Sequence, residues 1–500
     1  MAGEQETGKK PAENGGRGAG DDKVRAVQLS DDEVVNRSCK YSKIEGALGN
    51  ADLSIRNSYT TPYALALNAT NAEIGLLTSL QNLASTVAQL PGAKLPGWVG
   101  GRKSVWFLSN VLQKIFWVPI IILPFIVTGN QVLILIILLM LASFFGGLRG
   151  PAWSSLMGEI VPKGRWGKFF GQRNIYMNLA GLMATIVCGQ MLIWAGFSVI
   201  FALAFALGIM SIFFFAKIFE PRFRSDYHYS HAISLNFSGM LNSIKLNRNF
   251  TYFTLFMTAM NFAVYVASPF FAVYMLHNLN LGYGWYTAFI VIETAVIIIS
   301  QGYWGELCDR IGDRKVTVIT GLLICFVPFY WMFITNPYEI IIAEILTGFA
   351  WSGFGVATFN FMLAASPADK RAEFSANYAF LTGIGLVAGA LVGGLLADSL
   401  ESTTLLWMSG LQLIFLISFL LRLSSLAVLP LLKEARVKED GESVSQIFWL
   451  VVAVNPMRRI RHVMLAPTKI TRIYWKAEIR GFFRWLRNRI RFKLIARRKI

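Results

Sequence analysis

Charge is scarce in this chain. Asp, Glu, Lys and Arg make up 15% of its 500 residues against 54% hydrophobic residues, and the mean hydropathy is +0.49. A soluble domain rarely combines so little charge with so much apolar surface. Histidine occurs four times, and the four cysteines (Cys39, Cys188, Cys308 and Cys325) form no C-x-x-C pair. That argues against a zinc or redox centre and for free thiols. No nucleophile–base pair, metal cluster or phosphate loop stands out, so neither an enzyme nor a bound cofactor is expected. The N-terminal stretch MAGEQETGKKPAENGGRGAGDDK lacks the apolar core of a signal peptide and is expected to stay in the cytoplasm.

What fills the chain instead is a series of long apolar runs. From Ile44 about twelve of them are near the ~20 residues needed to cross a bilayer core. Their limits are 44–67, 72–95, 105–127, 132–158, 169–194, 198–219, 250–276, 284–305, 316–335, 339–364, 373–397 and 404–429. The first is the most polar, with Asn50, Asp52, Ser54, Arg56 and Asn57. Charge in the connections supports the count. Even-numbered turns carry Arg102 and Lys103; Lys163, Arg165 and Lys168; Arg222, Arg224, Lys245 and Arg248; Arg310, Arg314 and Lys315; Lys370 and Arg371. Odd-numbered turns, near Asn68, Gly129, Gly196, Asn280, Asn336 and Ser399, carry neither Lys nor Arg. This is the positive-inside pattern, and it places both termini in the cytoplasm of a multi-pass protein of the cell membrane.

The chain also repeats itself. Gly150-Pro151-Ala152, Pro162, Arg165 and Phe169 recur 205 residues later as Gly355-Val356-Ala357, Pro367, Lys370 and Phe374. Pro62-Tyr63-Ala64-Leu65 is matched 211 residues on by Val273-Tyr274-Met275-Leu276. The expected plan is all-α, with two pseudo-symmetric six-helix bundles at 44–219 and 250–429 joined by a cytoplasmic loop at 220–249. Residues 1–43 read as an unstructured tail. Residues 430–500 read as a basic amphipathic tail. From Arg458 onward it holds fifteen Lys and Arg against the lone Glu478, with Ile479, Phe482, Phe483, Leu486, Ile490 and Leu494 at helical spacing. Such a helix suits anionic lipid headgroups better than nucleic acid.

Between the eighth and ninth runs lies Gly305-Glu306-Leu307-Cys308-Asp309-Arg310-Ile311-Gly312-Asp313-Arg314-Lys315. This G-x-x-x-D-R-x-G-x-R-K stretch resembles the signature loop of the major facilitator superfamily. The resemblance covers about 44–430 and implies a secondary transporter working by alternating access. It makes Gly305, Asp309, Arg310, Gly312, Arg314 and Lys315 a cytoplasmic gating motif. The first-half copy, Gly92 to Lys103, keeps glycines and the final Arg102-Lys103, but Pro96 or Gly97 stands where the family has Asp. The fifth run lacks the G-P-x-x-G-G element of drug/proton antiporters, which weakens a multidrug reading.

Ionisable groups inside the runs are the remaining clue. Each costs roughly 2.5–3.5 kcal/mol at the bilayer centre on insertion scales, so each should face a cavity or a partner. Asp52 and Arg56 are one helical turn apart and can neutralise each other. Lys114, Arg149, Glu293 and Glu344 complete the set. The first half supplies mainly cations and the second carboxylates. A central cavity with those two walls would suit an anionic or zwitterionic small molecule, with a proton carried on Asp52, Glu293 or Glu344. Arg173 and Glu159 read as salt-bridging groups near the cytoplasmic ends. Export of drugs or lipid-like amphiphiles, sugar uptake, and a receptor that binds without transport are the competing expectations.

Overall fold

The structure, a computed structural model, describes residues 19–162, 165–220, 247–366, 371–405 and 407–434. The expectations for most of the central loop and for the basic tail lie outside these residues. So do Lys163, Arg222, Arg224, Lys245 and Lys370, which contributed to the charge pattern. Apart from one isolated bridge between Leu405 and Met408, the described residues form helices and their connections.

The helices are α1 (Ala19–Ala66), α2 (Asn71–Val99), α3 (Arg102–Ile126), α4 (Gln131–Ile160) and α5 (Trp166–Ala216). They continue as α6 (Arg248–Ala267), α7 (Tyr283–Ile311), α8 (Asp313–Trp331), α9 (Pro337–Ala365), α10 (Arg371–Ser399) and α11 (Gly410–Ser425). Short turns of helix at Phe270–Val273 and Tyr274–Asn278 extend α6, and a 3-10 turn at Leu426–Leu431 extends α11. Nine of these helices are long and apolar enough to cross a membrane. Helix α5 counts once among the nine, yet it breaks at Gly196 (φ 77°) into arms 166–195 and 197–216. The fifth and sixth runs are therefore joined by a single residue. Helices α1 and α2 fall below that hydropathy, and both are sheathed by neighbours, α1 by α5 and α2 by α4 and α10.

The turns follow from residue chemistry. Asn68, Asn130 and Asn280 have φ of 63°, 51° and 50°, the left-handed conformation that Asn tolerates better than other non-glycine residues. Capping boxes start α2, through Thr70 with Glu73, and α9, through Asn336 with Glu339. The signature stretch is more helical than a turn of eleven residues would be. Helix α7 runs on to Ile311 and α8 begins at Asp313, because charged residues beyond the apolar core can continue a helix into headgroup depth. Only Gly312 (φ 92°) reverses the chain.

Of the unstructured tail expected at 1–43, residues 1–18 lie outside the described residues, and residues 19–43 are helical. Helix α1 starts at Ala19, and its turns before Ile44 bury Ser38 and Ser42. Ser38 Oγ accepts the Phe219 N–H at 3.2 Å, and Tyr41 packs on Phe214, so the end of α5 holds this extension.

Packing is pairwise within each half: α1 on α5, α2 and α3 on α4, then α7 and α8 on α9, and α6 on α10 and α11. Gly385, Gly389 and Gly393 form the α10 stripe against α6. A Cβ on any of them would meet the backbone carbonyl of Thr258, Phe262 or Val266, so small residues allow the backbones to touch. The halves meet through α2 with α10 and α5 with α7. Tyr59 OH lies 3.1 Å from Thr287 Oγ1, and Tyr286 OH donates to Ser58 O at 2.8 Å. One apolar cluster, including Tyr63, Phe201, Phe270 and Met332, joins the halves at the end opposite the signature stretch. At the signature end the core divides into two clusters. One is built from Trp106, Leu156 and Phe215 of the first half, the other from Phe250, Phe361 and Phe374 of the second.

Candidate functional site

Asp52, Lys114 and Arg149 converge on one first-half cavity of about 210 Å³, lined by α1, α3, α4 and α5, and Arg56 joins them through Asp52. Helix periodicity sets its first element. Asp52 and Arg56 are four apart on α1, and Arg56 binds Asp52 through both nitrogens, Nε–Oδ1 at 2.9 Å and Nη2–Oδ2 at 3.0 Å. The second element comes from α3, whose Lys114 Nζ donates to Asp52 Oδ2 at 2.6 Å. All three side chains are buried. The Arg56 guanidinium also lies over the Trp117 ring, 5.2 Å from its centroid, which adds cation–π attraction.

Lys114 reaches Asp52 past Gly208 on the second arm of α5. A Cβ at Gly208 would occupy the position of the ammonium group. Arg149 on α4 is held by neutral groups alone, donating to Asn110 Oδ1 at 2.6 Å and Gln113 Oε1 at 3.1 Å. No carboxylate among the described residues pairs with it. Helix α4 passes through Pro151 unbroken.

Arg173 and Glu45 belong to the same cavity. Arg173 Nη2 pairs with Glu45 Oε2 at 3.1 Å, and its guanidinium sits 4.2 Å from the Trp153 centroid. Glu45 was missed as a site residue because it lies at the start of a run, where a charge looks like an ordinary end group. Its partner is 128 positions away. Glu159, by contrast, pairs with Arg102 at 2.5 Å, outside the cavity lining. Counted together, the cluster holds four cations (Arg56, Lys114, Arg149, Arg173) and two carboxylates (Glu45, Asp52). Two positive charges have no acidic counterpart.

Glu293 on α7 and Glu344 on α9 line a separate cavity of about 210 Å³ in the second half, with Tyr286, Thr347, Trp331 and Arg422. Neither glutamate has an ion pair or hydrogen bond among the described residues, and the buried Thr347 hydroxyl has no partner. Arg422 is 1% exposed and is satisfied by neutral acceptors, Ser418 Oγ at 3.1 Å and Ile324 O at 2.9 Å. It belongs to the twelfth run and amends the expected charge split, since the second half also buries a cation. The two walls expected of one central cavity thus line two cavities, one in each half.

The signature residues stand apart from both cavities. Arg310 pairs loosely with Glu306 at 3.8 Å on the exposed end of α7. Glu434 accepts the Arg314 backbone N–H at 3.0 Å and packs on Gly312. In the first half Glu220 does the same, accepting the Arg102 and Lys103 backbone N–H groups at 2.7 and 3.1 Å. A carboxylate after the last helix of each half thus caps the third helix, where the free N–H groups and the helix dipole favour negative charge.

The chain resembles known proteins along most of this architecture. A family model described as Major Facilitator Superfamily matches residues 51–298 and 251–477. An uncharacterized MFS-type transporter of Methanocaldococcus jannaschii is 25% identical over 345 residues, 68% of this chain and 85% of that protein. A multi-drug resistance efflux pump PmrA homolog of Lactococcus lactis is 23% identical over 355 residues, 67% of this chain and 81% of that protein. Among solved structures, a bacterial homolog of the human lysosomal transporter Spinster, inward-facing and unoccupied, superposes with a TM-score of 0.61. It shares 12% identity and covers 80% of this chain and 96% of its own.

Proposed function

This chain belongs to the Major Facilitator Superfamily, and from that premise we propose that it moves a small anionic or zwitterionic organic solute across the cell membrane, coupled to protons. Membrane transport follows from the family. The class of solute rests on one observation, the first-half cluster around this cavity, with four cations against two carboxylates. In a low-dielectric interior such an excess calls for a negative partner. Arg149 is the anchor in this reading. Its planar fork is held by two amide oxygens and not by an acid, so a carboxylate of the solute can take the remaining donors.

The second half supplies the proton site. Glu293 and Glu344 share a cavity with a single arginine that is occupied by neutral acceptors. One proton on the pair would balance the charge there. Alternating access is supported by the division of the core, continuous at one end and split at the signature end. The signature end is read as cytoplasmic, as are both termini. Asp309, Arg310 and Arg314 would bridge helix ends once that side closes, and Asp309→Asn should then insert normally but transport slowly.

The test is a thermal-shift screen of purified protein with small organic acids, amino acids, sugars and lipophilic cations. A ligand that binds the folded state raises the melting temperature by mass action. An acid or amino acid should stabilise the wild type and, at the same concentration, stabilise Arg149→Gln much less. A second reading, export of amphiphilic compounds, is favoured by the efflux-pump relative. It would take over if lipophilic cations alone shift the melting temperature.

A further inference from the structure

A third cavity, of about 390 Å³, lies at the signature end of the first half and shares no lining residue with the charged cavity. Its walls are the α1 extension and the start of α5, and they include Asn36, Cys39, Lys43, Arg165, Phe169 and Gln172. No carboxylate lines it among the described residues. Lys43 Nζ donates to Gln172 Oε1 at 2.7 Å and lies 6.0 Å from the Tyr176 ring centroid; it has no acidic partner among the described residues. Arg165 stands immediately before the first residue of α5. The depth is informative. The apolar run of α1 begins at Ile44 and that of α5 at Phe169, which puts the cavity at the headgroup level with an apolar wall below it.

We propose that this cavity binds a phosphate group between Lys43 and Arg165, carried either by an anionic phospholipid or by a soluble phosphate compound. An ammonium, a guanidinium fork and two side-chain amides supply more donors than a single carboxylate can use, and tetrahedral phosphate oxygens can accept from all of them. An occupant would tie α1 to α5 beside the transport cavity. Lys43–Gln172 and Glu45–Arg173 are neighbouring cross-links between the same two helices. Filling the outer site would therefore stiffen the frame that carries Glu45 and Asp52.

Cys39 provides a built-in reporter. It is the partly exposed one of the four cysteines, while Cys188, Cys308 and Cys325 are buried. Burial raises the pKa of its thiol, with Lys43 and Arg165 opposing the shift, so alkylation should be followed at mildly alkaline pH. The experiment measures the rate of Cys39 modification by N-ethylmaleimide, read by peptide mass spectrometry on the full chain. It is run in detergent with inorganic phosphate, and in vesicles of phosphatidylglycerol or phosphatidylcholine. Phosphate at ten times its dissociation constant should slow modification about tenfold. Lys43→Gln should abolish that protection, judged against its own rate without phosphate because losing the Lys43 charge alters the Cys39 thiol, and Lys43→Arg should retain it. Protection by phosphatidylglycerol alone assigns the site to a lipid headgroup, and protection by phosphate alone assigns it to a soluble compound. Absence of protection from both, or protection that persists in Lys43→Gln, overturns the proposal. The readout requires no transport, so it stands or falls separately from the solute assignment.

Discussion

The two halves repeat one helix plan with different electrostatics. In the first, each buried carboxylate is tied to cations: Asp52 to Arg56 and Lys114, Glu45 to Arg173. In the second, Glu293 and Glu344 line a cavity without ion pairs, and Arg422 is satisfied by a hydroxyl and a carbonyl. Fold symmetry therefore does not carry charge symmetry with it. A paired cluster braces its helices, whereas carboxylates without a cation partner are the ones available for the proposed proton site. Structural and coupling duties are divided between the halves on this reading.

The sharpest way to break the comparison is to remove a carboxylate from each side. Asp52→Asn strands two buried cations and should cost about 3–5 kcal/mol, seen as a large drop in melting temperature. Glu344→Gln strands no partner and should melt at or above the wild-type temperature. Equal destabilisation of the two variants would refute the division.

Arg149 lies between these extremes. Arg149→Gln removes a cation with no acidic partner, so the fold should persist while the solute loses a charge-assisted hydrogen bond of about 1.5–3 kcal/mol. Titration of the ligand should then show at least tenfold weaker binding, since ~1.4 kcal/mol corresponds to a factor of ten. Unchanged affinity would move the anchor elsewhere in the cluster.

Coupling comes next. In proteoliposomes, Glu293→Gln and Glu344→Gln should leave solute exchange at equal pH on both sides while abolishing accumulation driven by an imposed pH gradient. Persistent gradient-driven accumulation would return the proton to the first half. A smaller effect sharpens the packing side. Gly389→Ala pushes a methyl group into the α6 backbone at Phe262 and should cost about 1–3 kcal/mol. The smallest is expected at the matched caps. Glu220→Gln and Glu434→Gln each lose a charge at a helix N-terminus and should lower stability by about 0.3–1 kcal/mol, equally in both halves if the caps are equivalent.

Much of this molecule was legible from residue order. Apolar run length and loop charge located the spans, turns fell near Asn68 and Asn280, and the four-residue step from Asp52 to Arg56 announced their pairing. Those features are local, since a helix turns by a fixed angle per residue and a turn depends on the conformations its own residues tolerate. The four-residue spacing of Gly385, Gly389 and Gly393 is likewise visible in the sequence, although the helix they face is not. The signature stretch carried the family because its residue types recur at fixed spacing.

Contacts between helices had no such signal. Nothing local to Lys114 selects Asp52, 62 positions earlier, and Glu45 and Arg173 each resembled the charged end of a span. Those pairs depend on how far each helix is rotated and slid against its neighbour. That in turn depends on where small residues such as Gly208 let side chains pass. Span number, turn positions and family were thus set by local rules. Tertiary packing alone decided that the charges form a braced cluster in one half and an open carboxylate pair in the other.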